Sequence, residues 1–411
     1  MTLNPGLQTL KERGFIQQCT DLEALSKKMD EGPLSFYVGF DPTGPSLHVG
    51  HMVPVFAAAH LQRAGHNPVL LLGTGTARIG DPSGKTEMRK MLSYEDIDAN
   101  AVKMGAQLGG IVELGSGEGS LVKNGDWLSN LNYIDFLRDI GRHFSVNRML
   151  TFEAYKQRLE TGLSFIEFNY QLLQSYDYLE LFRRKGCTLQ IGGDDQWGNI
   201  VAGIDLIRRM EGGETYGLTF PLVTRADGKK MGKTEKGAIF LDESMCPVYD
   251  FFQYWRNVHD DDVEKFLLLF TFMPADEIHA MCSAGGAALN KAKETLAFEY
   301  TKLVHGEQKA KEALEGARAA FGGGGDEASI PGFDLPASEI ANGIGIIDLF
   351  TITGLVPSKS EARRLVQQGG ARVNDEQITD IDKVIGMDAV NDDKIMLKAG
   401  KKKHMRVTIV S

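Results

Sequence analysis

The chain has 411 residues, of which 42% are hydrophobic and 24% charged, and its net charge is −10. This length predicts two or three domains with cores of their own. No apolar run approaches the ~20 residues of a membrane span, and neither a signal peptide nor a transit peptide is expected. Four scattered cysteines without a C-x-x-C pair predict neither a disulfide framework nor a zinc site. We therefore expect a cytoplasmic globular protein that does not contact a membrane.

The net charge is unevenly distributed along the chain. From Ala341 onward 11 basic residues stand against 9 acidic ones, a net of +2, which leaves −12 for residues 1–340. An acidic body argues against nucleic acid as a partner, whereas a locally basic tail can bind RNA. Charge alone leaves this question open.

Four segments follow one another in the sequence. Over 34–220, short apolar runs alternate with helical patterns, which predicts βαβ units around a parallel sheet. Residues 240–320 have helical periodicity, and the Gly/Pro-rich composition after them is typical of a linker. The predicted segments are an α/β domain at 1–235, a helical domain at 236–321, a linker at 322–338 and a small mixed module at 339–411.

The stretch VGFDPTGPSLHVGH ends in two histidines that are three residues apart, His48 and His51. A helix with Ser46 as its N-cap would place both imidazoles on one face, with Gly50 leaving room for a flat ring. Free N–H groups at a helix mouth and two imidazole donors favour phosphate and would stabilise transition-state charge. A zinc pair is less expected because catalytic zinc needs three protein ligands. As an isolated motif the pair is more often structural.

The stretch IGDPSGKT at 79–86 looks like the end of a P-loop. That motif requires glycine where Ile79 stands, so the P-loop interpretation fails on register. Asp81, Lys85 and Arg89 remain candidate ligand contacts after a buried strand.

The stretch LQIGGDDQWGNI predicts a strand that ends at Gly193 and a helix that opens near Gln196. Glycine-rich turns at the carboxyl ends of strands are where open α/β sheets bind nucleotides. An acid in this turn, Asp194 or Asp195, could hold ribose hydroxyls.

Lysines crowd the stretch DGKKMGKTEKGAIF at 227–240. Such a run is usually a solvated loop, and the functional alternative is a mobile lid whose ammonium groups close over phosphates.

The stretch YQLLQSYDY places Tyr170, Gln174 and Asp177 on one helix face, which is either a surface or the polar floor of a pocket.

Taken together, these strings resemble a class I aminoacyl-tRNA synthetase, and most closely its bacterial-type tyrosyl members. HVGH is similar to the first class signature, His-Ile-Gly-His, and KMGKT at 230–234 to the second, Lys-Met-Ser-Lys-Ser. The likeness covers nearly the whole chain in the right order. It implies a Rossmann-like catalytic domain, a helical domain on the anticodon-arm side, and a C-terminal RNA-binding module like that of a small-subunit ribosomal protein.

The resemblance implies that tyrosine attacks the α-phosphate of ATP to give tyrosyl-adenylate, and then passes to the terminal adenosine of tRNA(Tyr). Mg²⁺ would arrive with the nucleotide, and no structural metal is expected. It also implies a homodimer joined through the nucleotide-binding domain, which we place near the helices at 130–150.

The resemblance also implies roles for individual residues. By this resemblance, the residues that would act on the reacting phosphates are Thr43, His48, His51, Lys230 and Lys233. The residues that would bind ATP are Gly39, Asp41, Gly50, Gly193, Asp195, Lys230 and Lys233. The residues that would bind tyrosine are Tyr37, Asp81, Tyr170, Gln174, Asp177 and Gln196, of which Tyr37 and Asp177 would contact the phenol hydroxyl. The residues that would bind tRNA are Lys85, Arg89, Lys359, Arg363, Arg364 and Arg372.

Three departures from the family pattern bear on these roles. Thr234 replaces the last serine of the second signature, which is a mild change. Gly232 replaces a signature serine, which removes a hydroxyl and adds flexibility. Asp194 is a second acid beside Asp195, so the ribose ligand stays open. In the tail, Ser358 and Glu361 have capping-box spacing at the start of a basic helix, whose alternative interpretation is a solvated surface.

Three other interpretations compete with this one. A small-molecule kinase built around residues 84–86 would release ADP and would not use residues 339–411. A decayed synthetase scaffold that only binds RNA is disfavoured by the intact histidine, lysine and aspartate positions. A tryptophanyl relative is disfavoured by the Tyr37–Asp177 pair and the tail.

Overall fold

The structure is a computed structural model. It describes residues 2–83, 91–115, 119–228, 231–234, 237–283, 285–320, 331–374, 376–391, 393–400 and 403–410. No helix in these ranges is both long enough and apolar enough to span a membrane.

Helices make up most of the described secondary structure. The α-helices are α1 (Pro5–Glu12), α2 (Leu22–Asp30), α3 (Met52–Arg63), α4 (Tyr94–Gly109), α5 (Gly125–Leu128), α6 (Tyr133–Asp139), α7 (Val146–Met149), α8 (Glu153–Thr161), α9 (Phe165–Phe168), α10 (Tyr170–Lys185), α11 (Trp197–Glu211), α12 (Val248–Arg256), α13 (Asp260–Phe270), α14 (Ala275–Ser283), α15 (Ala287–His305), α16 (Glu307–Ala320), α17 (Ala337–Ala341), α18 (Ile346–Ile352) and α19 (Lys359–Gln367).

The strands are short, and most belong to two sheets. They are β1 (Gln18–Cys19), β2 (Ser35–Phe40), β3 (Asn67–Leu72), β4 (Ser120–Lys123), β5 (Cys187–Gly193), β6 (Tyr216–Phe220), β7 (Lys233–Thr234), β8 (Gly237–Ala238), β9 (Gly332–Pro336), β10 (Ile344–Gly345), β11 (Ala371–Val373), β12 (Glu376–Ile378), β13 (Val384–Ile385), β14 (Lys394–Ala399) and β15 (Lys403–Val410).

The chain divides into two compact units, 1–246 with 258–296, and 247–257 with 297–411. The first unit is built on a six-stranded sheet in the order β1-β6-β5-β2-β3-β4, parallel except for β1. Its central strands are buried apolar runs, as parallel strands covered on both faces require. The predicted Rossmann-like parallel sheet is therefore confirmed.

The order of the strands determines where a ligand can bind. From β2 the chain moves outward through β3 to β4, and then returns to the other side of β2 through β5 and β6. Helices that start from β2 and β5 diverge at such a switch point and leave a crevice at the carboxyl ends of the strands. The histidine turn follows β2 and the GGDD turn follows β5, so both motifs reach this crevice.

The second unit contains aromatic helix packing and the C-terminal module. Trp255 of α12 packs on Tyr300 of α15 with ring centroids 4.8 Å apart. The module has a five-stranded sheet in the order β12-β11-β14-β15-β9, with an apolar core that includes Phe350 of α18 and Val366 of α19. The helices predicted over 240–320 and the mixed C-terminal module are both present.

Part of the predicted linker is not a linker in the structure. Residues 332–336 form β9, which pairs in parallel with β15 and buries Leu335 in the core of the module. A Gly/Pro-rich composition concealed this edge strand, because a five-residue strand with one buried side chain has almost no periodic signal. The domain boundaries as a whole stay a prediction.

Candidate active site

A cavity of about 520 Å³ opens at the switch point of the first unit. Most of the predicted substrate residues line it, although they come from distant parts of the chain. They are Tyr37, Gly39, Asp41, Thr43, His48, Gly50, His51, Asp81, Tyr170, Gln174, Asp177, Gly193, Asp195 and Gln196. The structure thus places both histidines in the same cleft as Asp195.

The remaining predicted contacts are not placed in this cavity. Lys230, Lys85 and Arg89 lie outside the described residues, and for Lys233 the structure describes the backbone only. The tail residues belong to the second unit. They are exposed side chains on α19 and β11, namely Lys359, Arg363, Arg364 and Arg372.

The histidine turn is held by the imidazoles themselves. Residues 49–51 form a short 3-10 turn, and the Nδ1 atom of His48 accepts a hydrogen bond from the Gly50 N–H at 3.1 Å. The Nδ1 atom of His51 accepts in turn from the His48 N–H at 3.2 Å. The rings are stacked with centroids 3.8 Å apart. Because both Nδ1 atoms accept, each neutral ring carries its proton on Nε2, which is the donor a phosphate oxygen needs.

This arrangement corrects two expectations about the turn. Ser46 is not the N-cap, because His48 takes that position and the Ser46 hydroxyl donates to the Leu47 carbonyl instead. The N–H groups at the helix mouth are also occupied, since those of Gly50 and His51 bond within the turn. A phosphate would therefore meet the imidazoles rather than the free helix terminus.

The flat ring that lies against Gly50 is the imidazole of His48. A Cβ atom at this position would lie 2.9 Å from Cε1 of His48, so the glycine makes room for the imidazole of the same motif. The spacing of the motif therefore has a local structural cause.

The inner end of the cleft is formed by Tyr37 and Asp177, which are each 1% exposed. The hydroxyl of Tyr37 is buried without a hydrogen-bond partner among the described residues. Burial, and next the charge of Asp177, raise the pKa of the Tyr37 phenol well above its ordinary value, so it stays protonated. A buried hydroxyl without a partner is costly, and a ligand that bonds to it removes the cost.

Two residues that the sequence did not single out hold Asp177 in place. The indole N–H of Trp127 donates to one carboxylate oxygen at 2.7 Å, and the amide of Asn124 donates to the other at 2.9 Å. Burial raises the pKa of Asp177 to about 8, against the opposing effect of these two hydrogen bonds. The string NGDW at 124–127 has no periodicity that could have pointed to this role.

The same asparagine connects the inner end of the cleft to Asp41. Its amide also donates to the Thr76 hydroxyl at 2.9 Å, and that hydroxyl donates to Asp41 at 2.7 Å. The hydroxyl of Tyr170 donates to the other oxygen of Asp41 at 2.9 Å. Residues from distant parts of the chain are therefore locked into one hydrogen-bonded chain, which fixes their geometry before a ligand enters.

A second polar cluster lies on the side of the cleft where α10 and α11 begin. The amide of Gln196 donates to Asp81 at 2.8 Å, and the amide of Asn199 donates to Gln174 at 2.9 Å and to Gln196 at 3.2 Å. Asp81, Gln174 and Gln196 of this cluster line the cavity, and carboxylate and amide oxygens are acceptors that suit an ammonium group. Asn199 is a further residue that the sequence interpretation missed.

The structure separates the two neighbouring acids. Asp194 accepts hydrogen bonds from Gln18 at 2.6 Å and from the Thr219 hydroxyl at 2.9 Å, so it ties the turn to β1 and β6. Asp195, and not Asp194, is among the residues that line the cavity. Asp195 is therefore the acid that can reach a ligand.

The described part of the lysine stretch lies on the histidine turn. The Val49 N–H donates to the Ile239 carbonyl at 3.0 Å, and the Leu241 N–H donates to the Leu47 carbonyl at 2.9 Å. Met231 and Gly232 line the same cavity as the histidines. Within the described ranges, no group of three potential metal-ligating side chains is close enough to hold a metal ion.

Comparison with known proteins identifies the family. The family described as tRNA synthetases class I (W and Y) matches residues 29–322. The chain belongs to this family. The C-terminal domain of tyrosine–tRNA ligases matches residues 329–407, which agrees with the tyrosyl rather than the tryptophanyl branch.

Full-length relatives point the same way. A tyrosine–tRNA ligase from Treponema denticola is 61% identical over 98% of this chain and 99% of the relative. One from Acetivibrio thermocellus is 52% identical over 98% and 99%. A solved C-terminally truncated mitochondrial tyrosyl-tRNA synthetase from Aspergillus nidulans superposes with a TM-score of 0.68 at 30% identity, over 76% of this chain and 93% of that one. The resemblance seen in the motifs is confirmed, and the kinase and tryptophanyl alternatives are excluded as family assignments.

Proposed function

We propose that this chain activates L-tyrosine with ATP and transfers the tyrosyl group to tRNA(Tyr). The observation that carries the proposal is the buried hydroxyl of Tyr37 beside the carboxyl group of Asp177, at the inner end of a cleft whose mouth holds two imidazoles. A phenol entering the cleft would bond to both groups. A phenylalanine ring would leave the Tyr37 hydroxyl without a partner and would make no hydrogen bond to Asp177, and such a penalty is the established basis on which enzymes of this class reject phenylalanine.

The remaining groups suit the rest of the substrate. The ammonium group would lie against Asp81, Gln174 and Tyr170, which directs the carboxylate of tyrosine toward the mouth of the cleft. That carboxylate is already a nucleophile, so the first step needs no general base from the chain.

The nucleotide would occupy the outer part of the cleft. Asp195 would hold the ribose, with Gly39, Gly193 and Gln196 beside the reacting groups. The Nε2–H groups of His48 and His51 would donate to the phosphates as negative charge grows on them, with Thr43 and the lysines of the signature on the departing pyrophosphate.

Mg²⁺ belongs to this proposal as a companion of ATP. Asp41 is engaged by hydroxyl donors, and the described residues form no cluster of metal ligands, so the ion would be held mainly by the phosphates. Its chemistry would be neutralisation of phosphate charge.

Exchange of labelled pyrophosphate into ATP tests the first step. We expect exchange with tyrosine and with no other amino acid, measured for each in turn with ATP and Mg²⁺. Absence of exchange with every amino acid, from a folded sample, would remove the proposal. Exchange with phenylalanine equal to that with tyrosine would contradict the assignment of Tyr37 and Asp177.

The tail is proposed to bind tRNA through its basic residues. Helix α19 is capped by Ser358, whose hydroxyl accepts the Glu361 N–H at 3.3 Å, and it exposes Arg363 and Arg364. Reversing both charges with Glu should reduce tRNA charging at least tenfold and leave pyrophosphate exchange unchanged. Deletion is the stronger version, and the cut must precede β9 so that its core residue Leu335 is not left exposed. Equal loss of both reactions would show that the tail serves the fold of the enzyme instead.

A homodimer is the quaternary state we propose. Apolar side chains on and after α6 face solvent, with Ile134 69% and Val146 55% exposed. An apolar patch of this kind is typical of a subunit interface. Light scattering should give twice the chain mass of 45.1 kDa, and Ile134→Asp should lower the measured mass.

The proposed setting is the bacterial cytoplasm, whose reducing chemistry suits the four free thiols.

A further inference from the structure

The two signature motifs are joined by backbone hydrogen bonds. The Ile239 N–H donates to the Gly232 carbonyl at 2.8 Å, and the Ile239 carbonyl accepts from the Val49 N–H at 3.0 Å. An antiparallel bridge between His48 and Phe240 continues this pairing. Gly232, in the middle of the lysine signature, is thus connected to Val49 of the histidine turn through the two hydrogen bonds of Ile239.

Gly232 lies directly against Val49. A Cβ atom at Gly232 would be 2.3 Å from Cγ2 of Val49, far below contact distance, and 3.9 Å from the Gly50 nitrogen. Val49 is fully buried, and its β-branched side chain has few rotamers into which it can retreat. Gly232 also has a φ of +75°, which favours glycine. The glycine is therefore a requirement of the docked arrangement and not only a source of flexibility.

Another glycine of the same segment provides a comparison. Gly228 has a φ of +77°, almost that of Gly232, yet its Cβ atom would meet no described atom within 4 Å. Alanine at either position costs the same backbone strain. Only alanine at Gly232 would also push the segment away from Val49.

We infer that Gly232 is a positioning residue: the absence of its side chain lets the lysine signature dock on Val49, and this contact sets the distance between the two motifs. The inference rests on the proposed function, because both motifs act there on one triphosphate. Tyr37 and Asp177 lie at the inner end of the cleft and do not take part in the contact.

The kinetic test compares three variants with the wild type. Gly232→Ala should lower kcat for tyrosine-dependent pyrophosphate exchange at least tenfold with KM for tyrosine within twofold, whereas Gly228→Ala should lower kcat by threefold at most. Adding Val49→Ala to Gly232→Ala makes room for the new methyl group, so kcat should recover at least threefold. Equal losses at the two glycines, or no recovery in the double variant, would overturn the inference.

A second readout does not depend on activity. Residues 229, 230, 233 and 236 are lysines, so limited trypsin cleavage in this segment reports whether it is docked. Cleavage should be several-fold faster in Gly232→Ala than in Gly228→Ala, and slower again in the double variant. The same cleavage rate in all variants would refute the docking contact even if exchange is observed, whereas absent exchange in the wild type would refute only the proposed function.

Discussion

The two ends of the cleft are built on different physical principles. At the inner end, Asp177 is fully buried and fixed by Trp127 and Asn124 from another segment of the chain. At the mouth, His48 and His51 are half-buried and are held by their own backbone and by stacking on each other. The inner end is therefore fixed by burial and by hydrogen bonds from another segment, whereas the mouth is fixed by hydrogen bonds and stacking within its own turn.

The difference corresponds to the task of each end. Selecting a ligand by its hydroxyl requires polar groups that cannot form hydrogen bonds to water when the wrong ligand binds. Burial keeps water away from these groups. Stabilising charge on phosphates requires donors that are oriented yet accessible to a large polar substrate, and a capped turn at the rim provides this. Losses at the mouth should therefore appear in kcat, and losses at the inner end in KM for tyrosine.

The largest effect is expected at the mouth. His48→Ala removes a donor to the phosphates, so the rate of adenylate formation should fall by about 10²–10³-fold with KM for tyrosine nearly unchanged, measured by pyrophosphate exchange. His66→Ala is the matched control, because the Nδ1 atom of His66 also accepts a backbone N–H, from Leu34, but the residue does not line the cleft. A similar fall in kcat for both variants would mean that His48 acts only through the fold.

A smaller effect, on KM for tyrosine rather than on kcat, is expected at the inner end. Trp127→Phe keeps an aromatic ring but removes one hydrogen bond to Asp177, so KM for tyrosine should rise about tenfold with kcat within a factor of about three. Tyr155→Phe is the control, since it also removes a hydrogen bond of a buried side chain, to the Phe168 carbonyl, and Tyr155 does not line the cavity. If kcat falls for Trp127→Phe while KM holds, the division of labour between the two ends is wrong.

A third effect concerns the dependence of stability on pH. The pKa of Asp177 is raised from 3.8 to about 8 by burial, so between these values the folded protein holds a proton that the unfolded chain has released. The free energy of unfolding should therefore fall as pH rises through this window, by about 1.4 kcal/mol per pH unit for one proton.

Asp177→Asn provides the comparison, because it cannot lose this proton. Urea unfolding of the wild type and the variant between about pH 5 and pH 7 should show the stability of the wild type decreasing relative to the variant. If the free energy of unfolding changes with pH in the same way for the wild type and the variant, Asp177 is ionised in the folded protein. The two hydrogen-bond donors would then affect its pKa more than burial does.

Some parts of the cleft could be predicted from the sequence, and others could not. Tyr170, Gln174 and Asp177 fall on one helix face, so their convergence was visible in the spacing. The histidine pair was recognised, yet the imidazoles were expected to leave the backbone free, and instead they cap it. That outcome depends on side-chain rotamers, which spacing does not encode. Asn124 and Trp127 lie 53 and 50 residues from Asp177 in a segment without a periodic pattern, so only the fold could bring them there.

The strand at 332–336 leaves fewer residues between α16 and the C-terminal module than the sequence predicted. A free segment of the predicted length, 322–338, could extend to about 60 Å, whereas the eleven residues between the end of α16 and the start of β9 reach about 40 Å. A connection of fewer residues lowers the greatest distance that can separate the module from α16. Inserting residues between 321 and 331 would raise this distance, so we expect it to weaken tRNA charging gradually rather than abolish it.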